Sequence, residues 1–479
     1  MKTAGSQDRF RTVAAPLTGA PSARRLKPAA TMLLLAFFTT LPVMAQIEQQ
    51  SQSYPMTMAD CLAQTFAQNP DIQRLRADVE RATGTKLVFW SRALPQLSGQ
   101  VTGGLRQGSL YGSLGPFSTL TAQFSQPLID VGIPPSLDRG KLEVIVAQQN
   151  LNREVTERLH EARSTFLRAL YQRDLIALYA EIGQRLQANV DSEQQRLDVG
   201  TGNEASLKWA KIQKLNLERD LTNLRGDYFA TLTRLAELSG RELAESDGTK
   251  RQVRLPKPVG ELQYENVELN LSRETAYAME HRADLKLLQA LSDAARDDRR
   301  TVQAGYFPLV SLTASALYIP ENKALSKQTD IVPGRDTRLS EVRAGVAMGW
   351  QVIDNGQVTG ASRRIEASRQ QYEIALHNLK QDIPRELATV EAALQAANAR
   401  RDALAKSAEA AEENLKLIEA QVTLGQATQF DFLKAQSNLL SVRAGVLDAT
   451  YSHELARADL DRVTGRYLEY KTETTAAQR

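Results

Sequence analysis

The chain has 479 residues, of which 42% are hydrophobic and 24% are charged, which excludes wholesale disorder and allows two or more ordinary domains. Its 59 basic and 56 acidic residues give a net charge of +3, but six of the basic residues and one acid lie within the first 45 positions. The remaining 53 basic and 55 acidic residues give a net charge of −2, so the overall charge does not favour nucleic acid as a partner.

The N-terminus has the pattern of an export signal. Arg24, Arg25 and Lys27 precede an apolar run at 32–43, and the small residue Ala45 follows it. The run is shorter than the roughly 20 apolar residues that span a bilayer, so we predict a cleaved signal peptide over 1–45 rather than a membrane anchor. No long apolar segment follows, so this exported chain could enter a membrane only as a β-barrel.

The single cysteine, Cys61, cannot form an internal disulfide. Lipid attachment is one alternative, but Asp60 occupies the position at which a small residue should precede the cysteine. We therefore expect Cys61 to be partly buried on a helix.

The sequence contains an internal repeat. Residues 94–98 resemble residues 307–311 at an offset of 213 positions, residues 128–132 resemble 352–356 at an offset of 224, and Gly200 corresponds to Gly425 at an offset of 225. We assign a first structural repeat to 46–270 and a second to 271–467, followed by a polar C-terminal tail at 468–479. The change from 213 to 224 predicts an 11-residue insertion in a surface loop of the second copy.

Each copy contains two segments in which apolar and polar side chains alternate, as they do in a strand with two different faces. These segments lie at about 95–107 and 118–129 in the first copy and at about 308–319 and 341–353 in the second. Such alternation over about ten residues is typical of a membrane strand with one lipid face and one wet face, although a half-buried soluble sheet has the same pattern.

Four strands in a membrane would leave two unpaired edges, and each unpaired backbone group in hydrocarbon costs several kcal/mol. We therefore predict that several chains combine their strands into one barrel. Trp90, Phe307 and Trp350 lie near the same ends of these strands, which is the arrangement of interfacial aromatic residues at a membrane surface.

The remaining segments predict unusually long helices. Residues 136–198 contain no proline, and their apolar residues recur at spacings of three and four, so a continuous helix would be roughly 90 Å long. Residues 357–424 have a similar pattern interrupted at Pro384, where we expect a kink or a junction between two helices. Each long helix leads into a glycine-containing turn and a returning helix.

These features together resemble the TolC-type outer-membrane efflux protein family. The resemblance lies in the two strand pairs, the duplicated long helices, the segment NPD at 69–71 with RAD at 282–284, and LGQATQFDFLKAQ at 424–436. It implies a mainly α fold with a small β part, in which three chains form a 12-stranded outer-membrane β-barrel that continues into a periplasmic α-helical barrel.

The resemblance also implies a function and a set of partners. The function is that of an outer-membrane exit duct of a tripartite efflux or type I secretion system, which passively conducts substrates from an inner-membrane pump. The partners are two further copies of the chain in a homotrimer, outer-membrane lipid, a periplasmic adaptor (membrane fusion) protein and an inner-membrane transporter of the RND, ABC or MFS type. No cofactor is implied.

The family places acidic residues at the periplasmic entrance, and the matching position here is Asp431. Where some members have a second acid three residues later, this chain has Lys434, which leaves a doubled acidic ring in doubt. The alternative is that Asp431 only stabilises a helix N-terminus. The turns that correspond to the family's adaptor-contacting tips consist of Asp198, Val199, Gly200, Thr201, Gly202, Leu424, Gly425, Gln426, Ala427 and Thr428.

Enzymatic chemistry has little support in the sequence, so we predict that the protein is not an enzyme. The four histidines lack metal-ligand spacing and are expected on helix surfaces, and neither a phosphate-binding loop nor a G-x-S-x-G nucleophile motif occurs. A soluble periplasmic coiled-coil scaffold or adaptor remains the alternative function, because it also explains the signal peptide and the long helices.

Overall fold

The computed structural model describes residues 53–108, 112–241, 244–246, 251–266, 269–320 and 339–469. The predicted signal peptide, most of the loop between the third and fourth long strands, and residues 470–479 of the tail lie outside this set.

The described residues of the first half form short N-terminal elements, a strand pair, two long helices and three short strands. In chain order they are β1 (Ser53–Met56), α1 (Met58–Gln68), α2 (Pro70–Ser91), β2 (Gln96–Gly108), β3 (Gly112–Ile129), α3 (Ile133–Asp198), α4 (Glu204–Leu238), β4 (Ala244–Ser246), β5 (Arg251–Val253) and β6 (Leu255–Pro258).

The second half repeats this order. Its elements are α5 (Leu271–His281), α6 (Ala283–Gln303), a 3₁₀ turn (Ala304–Tyr306), β7 (Leu309–Ile319), β8 (Leu339–Gly349), α7 (Gln357–Thr423) and α8 (Gln429–Thr464). The helices α2, α3 and α4 begin 213, 224 and 225 positions before their counterparts α6, α7 and α8, which are the offsets found in the sequence. The duplicated unit of the sequence is therefore a duplicated unit of structure.

The four long strands form one antiparallel sheet in the order β2-β3-β7-β8. Directly opposed residues on neighbouring strands point to the same face of a sheet. The register therefore places most of the apolar side chains of the four strands on one face and most of the polar side chains on the other. Val101 lies opposite Leu120, which lies opposite Tyr318, whereas on the other face Ser98 lies opposite Gln123. The sheet thus has one largely apolar face and one largely polar face.

The strands β2 and β8 are the two edge strands of this sheet. The alternating pattern extends to residue 353, but β8 ends at Gly349, which lies opposite Leu309, the first residue of β7. Residues 350–353 continue past the end of β7, so β7 offers them no backbone to pair with. This limit explains why β8 is shorter than the alternating segment.

The two longest helices, α3 and α7, contain 66 and 67 residues, so each is roughly 100 Å long at 1.5 Å per residue. Of the kink or junction expected at Pro384, the junction is wrong, because α7 continues through this residue as one helix. Its neighbour Ile383 and the residue one turn later, Leu387, are fully buried. Packing of these side chains offsets the loss of the backbone hydrogen bond that proline cannot donate.

Each repeat has its own hydrophobic core. In the first, Ile72 and Phe166 pack with Cys61, which is fully buried rather than partly buried as expected. Burial raises the pKa of the Cys61 thiol to about 12, so it stays protonated and unreactive at neutral pH. In the second core, Leu285 of α6 packs with Leu387 of α7.

Candidate functional site

Two helical turns lie at the end of the molecule opposite the sheet, between α3 and α4 and between α7 and α8. They have the same hydrogen bonding. Gly200 and Gly425 have φ angles of +80° and +72°, and each donates its N–H to a carbonyl three residues earlier. The residue after each glycine donates to a carbonyl five residues earlier, which completes the αL helix ending that glycine favours. The glycine turns recognised in the sequence are therefore two copies of one turn.

The predicted entrance residue, Asp431, lies in the first turn of α8, three residues after the N-cap residue Thr428. Thr428 donates its N–H and its Oγ1 hydroxyl to Asp431 Oδ2, at 3.0 and 2.5 Å, and Asp431 N donates to Thr428 Oγ1 at 3.2 Å. This reciprocal capping box satisfies two N–H groups that a helix start leaves free. The bonds from Thr428 lower the pKa of Asp431, and the nearby Lys434 ammonium contributes to this. The carboxylate is therefore charged at neutral pH.

Besides capping α8, Asp431 lines a groove of about 820 Å³ between the α3–α4 and α7–α8 hairpins, together with Lys434. The rings of Trp209 on α4 and Phe430 on α8 lie on this groove with their centroids 6.2 Å apart. The groove thus combines a fixed negative charge, a nearby positive charge and an aromatic pair.

A buried polar contact joins the two hairpins above their turns. Asn189 of α3 donates its Nδ2 to Oε1 of Gln436 on α8 at 3.1 Å, and both side chains are buried. Gln429 Nε2 approaches Asn189 Oδ1 at 3.5 Å. Sequence reasoning missed this pair, since the only signal is that each polar residue occupies a core-facing position of its helix.

The predicted interfacial aromatic residues lie at the other end of the long helices, where the strands begin and end. Trp350 follows β8 directly and donates Nε1 to the carbonyl of Tyr306 at 3.2 Å, and Tyr306 precedes Phe307. Trp90 lies in the last turn of α2, with the ammonium of Lys86 5.7 Å from the centre of its ring. All of the three predicted residues are exposed.

The polar face of the sheet carries charge as well as amides and hydroxyls. Arg343 and Glu341 on β8 form an ion pair with 2.5 Å between Nε and Oε1. The pair lines a recess on this face together with Gln100 and Gln123. On the opposite face, the exposed fractions of Val342 and Val101 are 80% and 76%.

Among the residues that the structure describes, no group of three or more His, Cys, Asp or Glu side chains could hold a metal ion. The expected surface position is wrong for His453, which is fully buried on α8 with its ring 4.9 Å from that of Tyr264. Burial lowers the pKa of His453 and so favours its neutral form.

The described helices include none that is both long and apolar enough to cross a membrane.

Comparison with known proteins identifies relatives that match most of the chain. The chain is 21% identical to the outer membrane efflux protein BepC of Brucella suis over 418 residues, which are 86% of this chain and 85% of BepC. It is also 21% identical to the outer membrane protein TolC of Escherichia coli over 433 residues, which are 86% of this chain and 84% of TolC.

Solved structures share the fold. The crystal structure of CusC matches with a TM-score of 0.70 at 15% identity, over 85% of this chain and 91% of CusC. The outer membrane protein VceC of Vibrio cholerae matches with a TM-score of 0.69 at 16% identity, over 88% of this chain and 96% of VceC. These similarities confirm the predicted fold class, a mainly helical chain with a small β part.

The sequence model of the outer membrane efflux protein family matches residues 61–241 and 276–466, one segment in each structural repeat and together more than half of the chain. The chain therefore belongs to the outer membrane efflux protein family.

Proposed function

We propose that three copies of this chain close their four-stranded sheets into one 12-stranded barrel, which forms the outer-membrane part of a passive exit duct. The observation that carries this proposal is the open sheet, with one apolar and one polar face and an edge strand at each end of its order. Joining the sheet to those of other copies pairs both edge strands, so that no N–H or C=O group of these strands is left unpaired in the membrane. The apolar face then contacts lipid, and the polar face lines the lumen.

The long helices continue the duct on the periplasmic side. Three copies of α3 and α7, each roughly 100 Å long, with their shorter neighbours form a helical barrel that extends the lumen away from the sheet. Trp90, Phe307 and Trp350 lie where sheet and helices meet, at the level of the inner surface of the outer membrane. The chain thus occupies both the outer membrane and the periplasm.

The two turns at the far end form the entrance. Three copies of Asp431 around the axis concentrate negative potential in a narrow mouth, and Lys434 partly offsets it. The turns over 198–202 and 424–428 contact a periplasmic adaptor protein, which connects the duct to an inner-membrane transporter of the RND, ABC or MFS type. Energy for transport comes from that transporter, in a tripartite efflux or type I secretion system, and the duct itself is not an enzyme.

The exposed apolar face of the sheet favours this function over a soluble periplasmic scaffold. In a scaffold, side chains such as Val342, Val101 and Met348 would face water, at a cost of about 25 cal/mol per Å² of apolar surface. Contiguous apolar patches of this kind are rare on soluble monomers and mark contact surfaces.

Membrane fractionation followed by mass measurement tests the proposal. We expect the protein to remain in the outer-membrane fraction after washing with high salt, to be released by detergent, and to have the mass of three chains in that detergent. Release by salt as a monomer would contradict the duct and favour the scaffold.

A further inference from the structure

The connection between the two repeats crosses from α3 onto α7 and α8. Its described part after β6 consists of residues 259–266, which we call the inter-repeat strap. At its start, Arg173 of α3 donates Nη1 to the carbonyl of Pro258 at 3.0 Å and Nη2 to the carbonyl of Gly260 at 2.8 Å. The first repeat therefore holds the beginning of the strap.

The end of the strap lies on the second repeat. Asn398 of α7 donates Nδ2 to Oδ1 of Asn266 at 3.1 Å, and Arg457 of α8 donates Nη2 to Oε2 of Glu265 at 3.2 Å. Glu265 and Asn266 are exposed, so water competes for both contacts and each of them is weak.

Tyr264 makes the more extensive contact of the strap. The centre of its ring lies 4.1 Å from the guanidinium carbon of Arg401 on α7 and 4.9 Å from the centre of the His453 ring on α8. His453 is fully buried at this place. Because Tyr264 packs directly on the imidazole, displacement of the strap would open that ring to water.

His453 is buried without the partners that a protonated imidazole requires. Neither Nδ1 nor Nε2 has a hydrogen-bond partner among the residues that the structure describes. Oε1 of Glu454 lies 3.6 Å from Nδ1, which is beyond hydrogen-bond range, and it already accepts from Nη1 of Arg457 at 3.0 Å. An imidazolium has two N–H donors, so both would be unsatisfied while the strap is in place.

The charges around the ring also disfavour a proton on it. The titratable and charged groups that face His453 come from three elements, and they are Tyr264 of the strap, Arg401 of α7, and Glu454 and Arg457 of α8. The helix α3 also packs on α8, where the ring of its Tyr171 lies 5.0 Å from that of Tyr451. The two arginines oppose a third positive charge, and Glu454 is paired with Arg457.

The held and the displaced strap bind a proton differently. With the strap in place, burial lowers the pKa of His453. Once the strap has left, the ring meets water and its pKa rises toward the ordinary histidine value of about 6.5. A proton therefore binds more strongly to the displaced state, and acid shifts the equilibrium toward that state.

We propose that the inter-repeat strap is acid-sensitive: it lies on α7 and α8 while His453 is neutral and leaves them when His453 is protonated. Arg173 keeps the start of the strap on α3, so release removes one connection between the first repeat and the α7–α8 pair. The contacts that carry this inference lie within one chain, so it does not rest on the proposed trimer.

Electron paramagnetic resonance of a nitroxide on Gln263→Cys, in the full-length protein extracted with detergent, measures release. Gln263 is exposed and precedes Tyr264, so the mobility of the label distinguishes a held strap from a displaced one. Cys61 is fully buried, and the wild-type protein controls for its labelling. From pH 7 to pH 5 we expect the ratio of mobile to immobile label to rise by up to about 25-fold, the limit for a histidine of ordinary pKa that is protonated in the displaced state alone.

Substitutions of His453 assign the response to that ring. In His453→Leu and in His453→Gln the label should stay immobile at both pH values, because neither side chain takes up a proton. The matched control is His377→Gln, which replaces an exposed histidine of α7 and should keep the acid response. A second label on Glu409→Cys, at an exposed position of α7, should not change with pH and so separates release of the strap from unfolding.

The outcomes decide the inference as follows. Acid release in the wild type and in His377→Gln, but in neither His453 variant, supports it. A wild-type label with the same mobility at pH 7 and pH 5 overturns it, and so does a folded His453 variant whose label is mobile at pH 7 or still responds to acid. Equal gains of mobility at positions 263 and 409 would show general unfolding and would also overturn it.

Discussion

Loss of the buried contact between Asn189 and Gln436 should favour an open entrance. The Asn189→Ala variant leaves Oε1 of Gln436 buried without the donor that lies 3.1 Å away in the wild type. An unsatisfied buried acceptor costs about 1–3 kcal/mol, and widening of the entrance, which separates the α3–α4 and α7–α8 hairpins, would give it water. We therefore expect the ratio of open to closed channels to rise by about 5–150-fold.

Single-channel recording in planar bilayers measures this ratio as open probability. The matched control is Gln187→Ala, which removes an exposed hydrogen bond to Asp191 within the same helix and should leave the open probability unchanged. A double-mutant cycle with Gln436→Ala should give a coupling energy of about 0.5–3 kcal/mol, as expected for residues in direct contact. An Asn189→Ala channel that opens no more than the Gln187→Ala channel would refute the role of this contact.

Three further predictions concern charge, pH and backbone. The Asp431→Asn variant should prefer cations less than the wild type does. In the wild type the cation preference should stay constant from pH 8 to 5, because hydrogen bonds from Thr428 hold the pKa of Asp431 below its ordinary value. Reversal-potential measurements check both expectations. Burial lowers the pKa of His453, so its neutral form stabilises the fold above the ordinary histidine pKa of about 6.5, and this stabilisation is lost as pH falls below that value. The difference in thermal stability between pH 7 and pH 5 should therefore narrow in His453→Leu, and an unchanged difference would contradict this. Gly425→Ala should destabilise by about 1–2 kcal/mol because of its positive φ, whereas Gly226→Ala within α4 should stabilise by up to about 1 kcal/mol, and denaturant unfolding compares the two.

The sequence alone was sufficient to predict the repeats, the strand pairs, the glycine turns and the family. These features depend on local patterns, such as the alternation along β2 or the αL glycines at positions 200 and 425, which the surrounding fold does not change. Pro384 shows the opposite case. The local pattern allows a junction between two helices there, but Ile383 and Leu387 pack in the core of the second repeat and α7 continues as one helix.

The sequence alone did not predict which residues of different helices contact each other. Periodicity places Asn189 on a core-facing position but does not say that Gln436, 247 residues later, supplies its acceptor. For Asp431 the sequence left two roles open, and the structure shows one of them, because Asp431 is the third helical residue of α8 and completes the capping box with the N-cap residue Thr428. Its role at the entrance stays a prediction, because it depends on three copies around one axis.

The most direct test of the duct is the conductance of the purified, detergent-extracted protein in a planar bilayer, recorded for the wild type and for Asn189→Ala. We predict discrete conductance steps that prefer cations and that occur more often in the variant. Silence of both proteins, together with a monomeric mass in the same detergent, would contradict a channel.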